Sequence, residues 1–128
     1  MSKVERPKAR ILVVDDEPEI VRAIRTNLEL EGYEVLEAYN GPDALKIARS
    51  ERPDLVVLDV LMPEMDGWQV LREIRGDKEL KDTPVVLLTA LSSDRDVDTG
   101  WELGAHRYLT KPFEPQRLIE VVRELLKE

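Results

Sequence analysis

The feature that most constrains the fold is a set of five short, mostly apolar runs separated by stretches whose apolar residues recur every three to four positions. The runs occupy residues 11–14, 33–38, 55–58, 85–88 and 106–109. Near-continuous apolar runs are typical of parallel strands that are covered on both faces, and helical spacing between them indicates the covering helices. The pattern therefore predicts one α/β domain, a (βα)5 three-layer sandwich with helices on both faces of a parallel sheet.

Apolar spacing also predicts the five helices. The first carries Ile20, Ile24 and Leu28 at four-residue intervals, with Ala23 and Leu30 widening the apolar stripe. The others are expected from Pro42 to just before Pro53, at 68–75, at 94–103 and from Pro115 to Glu128. The polar residues 1–8 are predicted to form a flexible segment ahead of a domain that covers residues 9–128.

Composition excludes several classes of protein. The 128 residues include no cysteine, so disulfides, a thiolate nucleophile and Cys-based metal sites are excluded. No apolar run approaches the roughly 18 residues of a membrane span, and the run after the basic N-terminus is too short for a signal peptide, so a cytoplasmic location is expected. The net charge of −8 is opposite to that of a phosphate-backbone reader, so we expect no direct nucleic-acid binding by this chain.

Polar residues follow the apolar runs, at the edge where ligands bind in sheets of this kind. Asp15 and Asp16 follow the first run, Asp59 the third, Thr89 the fourth and Lys111 the fifth. If the first strand neighbours the third, three carboxylates meet at this edge. Crowded carboxylates repel one another unless a cation holds them, and an all-oxygen ligand set suits Mg²⁺. A carboxylate in such a pocket can attack phosphorus, so Asp59 is the predicted nucleophile, with Lys111 offsetting phosphoryl charge and Thr89 donating a hydrogen bond.

Four longer motifs carry these residues: ILVVDDE at 11–17, DVLMPEMDG at 59–67, LTA at 88–90 and GAHRYLTKPF at 104–113. In this order and spacing they resemble the receiver domain of two-component response regulators, and the resemblance covers about residues 9–126. It implies a doubly wound, flavodoxin-like (CheY-like) sheet of order 2-1-3-4-5 and a cis bond between Lys111 and Pro112. It also implies a signalling phosphoacceptor rather than an enzyme.

Carried over to these positions, the resemblance implies that Asp59 takes phosphate from a sensor histidine kinase or a histidine phosphotransfer protein. Mg²⁺ would be held by Asp16, Asp59 and the backbone carbonyl of Leu61, with Asp15 either binding it directly or orienting a metal-bound water. The phosphoryl-binding and switch residues would be Thr89, Ala90, Tyr108, Lys111 and Pro112. The surface formed by the fourth helix, fifth strand and fifth helix would control a downstream effector or a fused output domain.

The resemblance also implies a surface for the kinase, made of residues that lie off the apolar stripe of the first helix, with Phe113 nearby. These residues are Pro18, Val21, Arg22 and Arg25. His106 is interpreted as an ordinary surface residue. Whether the chain acts alone or as part of a longer regulator stays open.

Other functions fit the sequence less well. A flavodoxin-type cofactor binder needs a glycine- and hydroxyl-rich loop after the first strand, where this chain has Asp15-Asp16-Glu17-Pro18. A phosphatase of the haloacid-dehalogenase type has a second Asp two residues after its nucleophile, where this chain has Leu61. Neither GxxxxGK nor GxGxxG occurs. A receiver fold kept only as an interaction module is disfavoured by the presence of all five site residue types.

Overall fold

The computed structural model describes residues 9–89 and 104–127. The described strands are β1 (Arg10–Val14), β2 (Glu34–Ala38), β3 (Leu55–Asp59), β4 (Val85–Thr89) and β5 (Arg107–Thr110). The described helices are α1 (Pro18–Leu30), α2 (Gly41–Glu51), α3 (Gly67–Gly76) and α4 (Pro115–Leu126). The segment 1–8 and the helix expected at 94–103 lie outside these residues, so α4 is the fifth helix of the sequence prediction.

The strands form one parallel sheet in the order β2-β1-β3-β4-β5. In register, Val14 lies beside Leu58, and Asp59 lies beside Leu88. The ends of β1, β3 and β4 therefore meet at one edge of the sheet. The predicted doubly wound topology is confirmed.

Two apolar clusters cover the two faces of the sheet, because alternate residues of each strand point to opposite sides. Ile11 and Val13 pack with α1 and α4, whereas Leu12 and Val14 pack with α2 and α3. Both β3 and β4 are buried at every position, as expected for strands covered on both faces. Within the described ranges, no helix has the length and apolar character needed to span a bilayer.

The helices on the α2 and α3 face begin at side-chain caps. The Asn40 side chain accepts a 2.8 Å hydrogen bond from the backbone N–H of Asp43. At the start of α3, Asp66 and Gln69 form a reciprocal capping box, with both hydrogen bonds at 3.0 Å. Such caps satisfy backbone donors that the first helical turn leaves unpaired. They fix where the loops after β2 and β3 end.

The predicted apolar stripe of α1 includes two residues that are exposed and leaves out one that is buried. Leu30 is 78% exposed and Ala23 is also exposed, whereas Val21 is completely buried. Val21 lies three residues before Ile24 and seven before Leu28, so helical geometry places all three on the face toward the sheet. Val21 is thus a core residue, and its expected place on a kinase-binding surface is incorrect.

Candidate functional site

An acidic pocket lies at the carboxyl edge of the sheet. Asp15 directly follows β1 and is fully buried, and Asp59 ends β3 with 3% of its surface exposed. Thr89 ends β4 and is also fully buried, while the side chain of Lys111, just after β5, is 18% exposed. Four side chains singled out from the sequence therefore lie at neighbouring strand ends.

Lys111 connects these strand ends. Its ammonium donates a 2.7 Å hydrogen bond to Asp15 Oδ2 and lies 3.4 Å from Asp59 Oδ1. Its backbone N–H donates to the carbonyl oxygen of Thr89 at 2.7 Å. The peptide bond between Lys111 and Pro112 is cis, as the resemblance implied. One residue thereby contacts the ends of β1, β3 and β4.

The charges of this pocket perturb one another. Burial, followed by the nearby charge of Asp15, raises the pKa of Asp59 from 3.8 to about 6, although Lys111 opposes the change. Burial lowers the pKa of Lys111, but the hydrogen bond and charge of Asp15 outweigh this effect, so its pKa is raised. A carboxylate that resists ionisation beside a firmly charged ammonium indicates a pocket short of positive charge.

Three consecutive acids offer ligands for a cation. Oxygen atoms of Asp15, Asp16 and Glu17 all lie within 4.8 Å of one another, and Asp16 and Glu17 are exposed. The backbone N–H of Glu17 donates a 2.9 Å hydrogen bond to Asp15 Oδ1, which orients that carboxylate. This donor set consists only of oxygen and so fits Mg²⁺. Glu17 was missed as a candidate ligand, although its place directly after the Asp pair could have indicated it.

The loop after Asp59 ends where Gly67 packs closely against the backbone of Asp59. Leu61 is 52% exposed, whereas its neighbours Val60 and Met62 are buried. A Cβ on Gly67 would lie 2.4 Å from the carbonyl oxygen of Asp59, so only glycine permits this packing. The N–H of Gly67 donates to the carbonyl of Val60 at 2.8 Å. The start of α3 thus rests directly on the backbone of the candidate nucleophile.

Thr89 and Tyr108 lie on the same face of the sheet. Tyr108 pairs in register with Leu87, two residues before Thr89, and residues two apart in a strand share a face. Tyr108 is half-buried and packs against the apolar cluster under α2 and α3. Ala90, the remaining residue of the expected switch, lies outside the described residues.

The residues expected to meet the kinase do not form one surface. Phe113 lines a groove of about 590 Å³ together with Ile20 and Ala23 of α1. Arg25 lies on the other side of this helix, where its guanidinium is 3.0 Å from both Glu29 and Glu37. Pro18 and Arg22 are exposed. The groove beside Phe113 is therefore lined by a different side of α1 from the one that the sequence indicated.

The interpretation of His106 as an ordinary surface residue is also wrong. His106 is half-buried, and its Nδ1 accepts a 3.2 Å hydrogen bond from the N–H of Val85. The Arg75 guanidinium lies 3.2 Å from the same nitrogen and donates to the carbonyl of Gly104 at 2.8 and 3.0 Å. Burial, together with the charges of Arg75 and Arg107, lowers the pKa of His106. The neutral ring is thus a structural hydrogen-bond acceptor at the start of β5.

Known proteins resemble this chain closely. It is 48% identical over 124 residues to the probable transcriptional regulator ycf27 of Porphyra purpurea. This alignment covers 97% of this chain and 50% of that protein. It is 45% identical over 118 residues to the alkaline phosphatase synthesis transcriptional regulatory protein PhoP of Bacillus subtilis, covering 92% and 48%. The chain thus spans about half the length of these curated relatives.

A solved structure matches over nearly its whole length. The chemotaxis protein CheY4 of Vibrio cholerae superposes with a TM-score of 0.89 at 34% identity, covering 93% of this chain and 99% of that one. The family pattern of the response regulator receiver domain matches residues 11–123. With the sheet order, the acidic strand ends and this match in agreement, the chain belongs to the response regulator receiver domains, signalling modules of two-component systems.

Proposed function

We propose that this receiver domain accepts a phosphoryl group on Asp59 from the phosphohistidine of a sensor histidine kinase or a histidine phosphotransfer protein, in a reaction that requires Mg²⁺. The observation that carries the proposal is the environment of Asp59. Its carboxylate is buried at the end of β3, 3.4 Å from an ammonium that also binds Asp15. A pKa of about 6 leaves this carboxylate largely ionised, and so nucleophilic, at neutral pH.

The transfer needs little from the protein beyond placement and charge. A carboxylate oxygen of Asp59 forms a bond to phosphorus as the bond between phosphorus and the donor imidazole nitrogen breaks. The electron pair of the broken bond stays on that nitrogen. A donor protonated on its other ring nitrogen then leaves as neutral imidazole. The Lys111 ammonium, held charged by Asp15, offsets negative charge on the phosphoryl oxygens.

The oxygen ligands of this pocket also favour the binding of a divalent cation. Mg²⁺ would be held by the carboxylates of Asp15, Asp16 and Asp59 and by the carbonyl of Leu61, with Glu17 alongside. When bound, the cation supplies the positive charge that an incoming phosphoryl group needs among these acids. Asp15 is oriented in advance by the N–H of Glu17 and by Lys111.

We propose that phosphorylation is passed on through β4 and β5. The hydroxyl of Thr89 would donate to a phosphoryl oxygen, and Tyr108, on the same face, would follow its movement; Ala90 and Pro112 complete the switch. The surface of β5 and α4 would then act on a downstream effector or a fused output domain. Relatives of both kinds are known, since the matched transcriptional regulators are about twice the length of this chain and the matched chemotaxis protein is similar to it in length.

Acetyl phosphate provides the test. Incubation with Mg²⁺ followed by intact-mass measurement should show the gain of one phosphoryl group. The gain should vanish in Asp59→Ala and in excess EDTA, and it should persist in Asp82→Ala. Asp82 is an exposed carboxylate that precedes β4, at the opposite edge of the sheet. Equal labelling of the Asp59 variant, or none of the wild type, would overturn the proposal.

A further inference from the structure

The loop that follows Asp59, residues 60–66, packs on the first turn of α2. A Cβ built on Gly41, the first residue of that helix, would lie 2.7 Å from Cβ of Met65 and 2.8 and 2.9 Å from its Cγ and Sδ. Because the nearest atom is the Met65 Cβ, rotation of that side chain cannot relieve the contact. Any side chain at position 41 would therefore force one of the two backbones to move.

Val60 and Met62 anchor this loop in the core, and two further contacts hold its remaining part. At its end, Gly67 rests on the backbone of Asp59 and Val60. At its side, the half-buried Met65 packs against the apolar cluster under α2 and α3. The side chain of Leu61 is exposed, so packing in the core does not fix its position. The course of the loop beside Asp59 therefore depends in part on how closely Met65 approaches α2.

The junction between β2 and α2 also contacts the other side of the acidic pocket. The backbone N–H of Asp15 donates a 3.3 Å hydrogen bond to the carbonyl of Ala38, the last residue of β2. Gly41 follows three positions later, so the short stretch 38–41 contacts both Asp15 and the loop after Asp59. This stretch therefore lies next to both sides of the candidate cation site, the side of Asp15 and the side of the loop after Asp59.

We propose that Gly41 is a positioning residue for the cation and phosphoryl site. Because Gly41 has no side chain, Met65 can pack closely on it and hold the loop after Asp59 at a set distance from Asp15 and Asp16. This inference rests on the proposed function of the same pocket. A methyl group at position 41 would push the loop away from the Asp pair, and the ligands on the two sides of the pocket would separate. Cation binding would weaken, and phosphorylation would slow as a consequence.

The test compares Gly41→Ala with Gly76→Ala. Gly76 ends α3, and a Cβ there would meet nothing within 4 Å, so it controls for the change from glycine to alanine. Titration calorimetry should show Mg²⁺ binding weakened by about tenfold in Gly41→Ala and nearly unchanged in Gly76→Ala. Labelling by acetyl phosphate should slow in Gly41→Ala at low Mg²⁺ and recover at saturating Mg²⁺, a recovery that simple destabilisation would not produce.

A second variant keeps the proposal testable if Gly41→Ala does not fold, as judged by circular dichroism. Met65→Ala removes the Cγ and Sδ atoms that lie beside the open face of Gly41 and should weaken Mg²⁺ binding by about threefold. Wild-type affinity in a folded Gly41→Ala, or in Met65→Ala, would overturn the inference. If the wild type itself neither binds Mg²⁺ nor takes up phosphate, the proposed function fails instead.

Discussion

The ammonium of Lys111 donates a 2.7 Å hydrogen bond to the carboxylate of Asp15, a residue 96 positions earlier in the chain. Asp15 is fully buried, and its other oxygen accepts from the backbone of Glu17. The lysine therefore occupies a carboxylate that a cation would need as a ligand. In the absence of metal, this one ammonium offsets only part of the negative charge of the pocket.

Replacing Lys111 by methionine should strengthen Mg²⁺ binding by about tenfold, because the competing ammonium is removed from the carboxylates. The metal-free protein should lose about 2–3 kcal/mol of unfolding free energy, because the buried Asp15 carboxylate loses its ammonium partner. Phosphorylation should nonetheless slow. Calorimetry, urea unfolding in EDTA and labelling by acetyl phosphate measure these effects, and an unchanged Mg²⁺ affinity would show that Lys111 does not compete for Asp15.

Asp59 should make the metal-free protein less stable as the pH rises. Its pKa is about 6 in the folded chain, against 3.8 ordinarily, so between these values the folded state binds a proton that the unfolded state does not. The contribution of Asp59 to stability is complete below pH 3.8 and is lost as the pH rises through about 6. Asp59→Asn should therefore raise the unfolding free energy at neutral pH by on the order of 3 kcal/mol.

Urea unfolding in EDTA checks this effect at pH 7.5, 6 and 4.5. The advantage of Asp59→Asn should shrink toward the lowest pH, where the wild-type carboxyl is already protonated in the folded state. A gain that is equal at all three pH values would instead point to packing.

The neutral ring of His106 should link stability to pH in the opposite sense. Burial and the charges of Arg75 and Arg107 lower its pKa in the folded chain, so the unfolded state takes up a proton first as the pH falls below about 6.5. The contribution of His106 to the unfolding free energy is therefore present above that pH and is lost below it. In His106→Asn, an amide oxygen can replace Nδ1 as the acceptor without titrating, so the decline in unfolding free energy between pH 7.5 and 5.5 should be smaller. Identical slopes for variant and wild type would refute this role.

The exposed Leu61 should prolong the phosphorylated state. It lies two residues after Asp59 in the loop beside the pocket, where an apolar side chain offers no hydrogen bond to an attacking water. Leu61→Asn should hasten loss of phosphate by about fivefold, because a polar group there can orient that water. Decay is followed by intact mass after acetyl phosphate is removed. Leu30→Asn, which changes a leucine that is 78% exposed at the end of α1, should decay at the wild-type rate.

Much of the fold could be predicted because its signals are local. Strands buried on both faces read as unbroken apolar runs, and polar residues that end such runs must meet at the carboxyl edge of a parallel sheet. With the strand order that the resemblance implied, the proximity of Asp15, Asp59 and Lys111 follows from that rule. The face of α1 could not be assigned in this way, since Ile20 and Val21 both complete a helical stripe with Ile24 and Leu28. Packing against the sheet buried Val21 and left Ile20 beside the groove.

The amino-acid sequence by itself determined the parallel sheet and the acids at the ends of its strands, because periodicity and strand ends are properties of consecutive residues. The order of the strands followed from the resemblance to receiver domains and not from periodicity. Only the tertiary structure decided that Arg25 pairs with Glu37, that Arg75 reaches Gly104 and that Met65 rests on Gly41. Those contacts join residues on separate elements. Their formation depends on the rotation and spacing of whole helices, which no local pattern specifies.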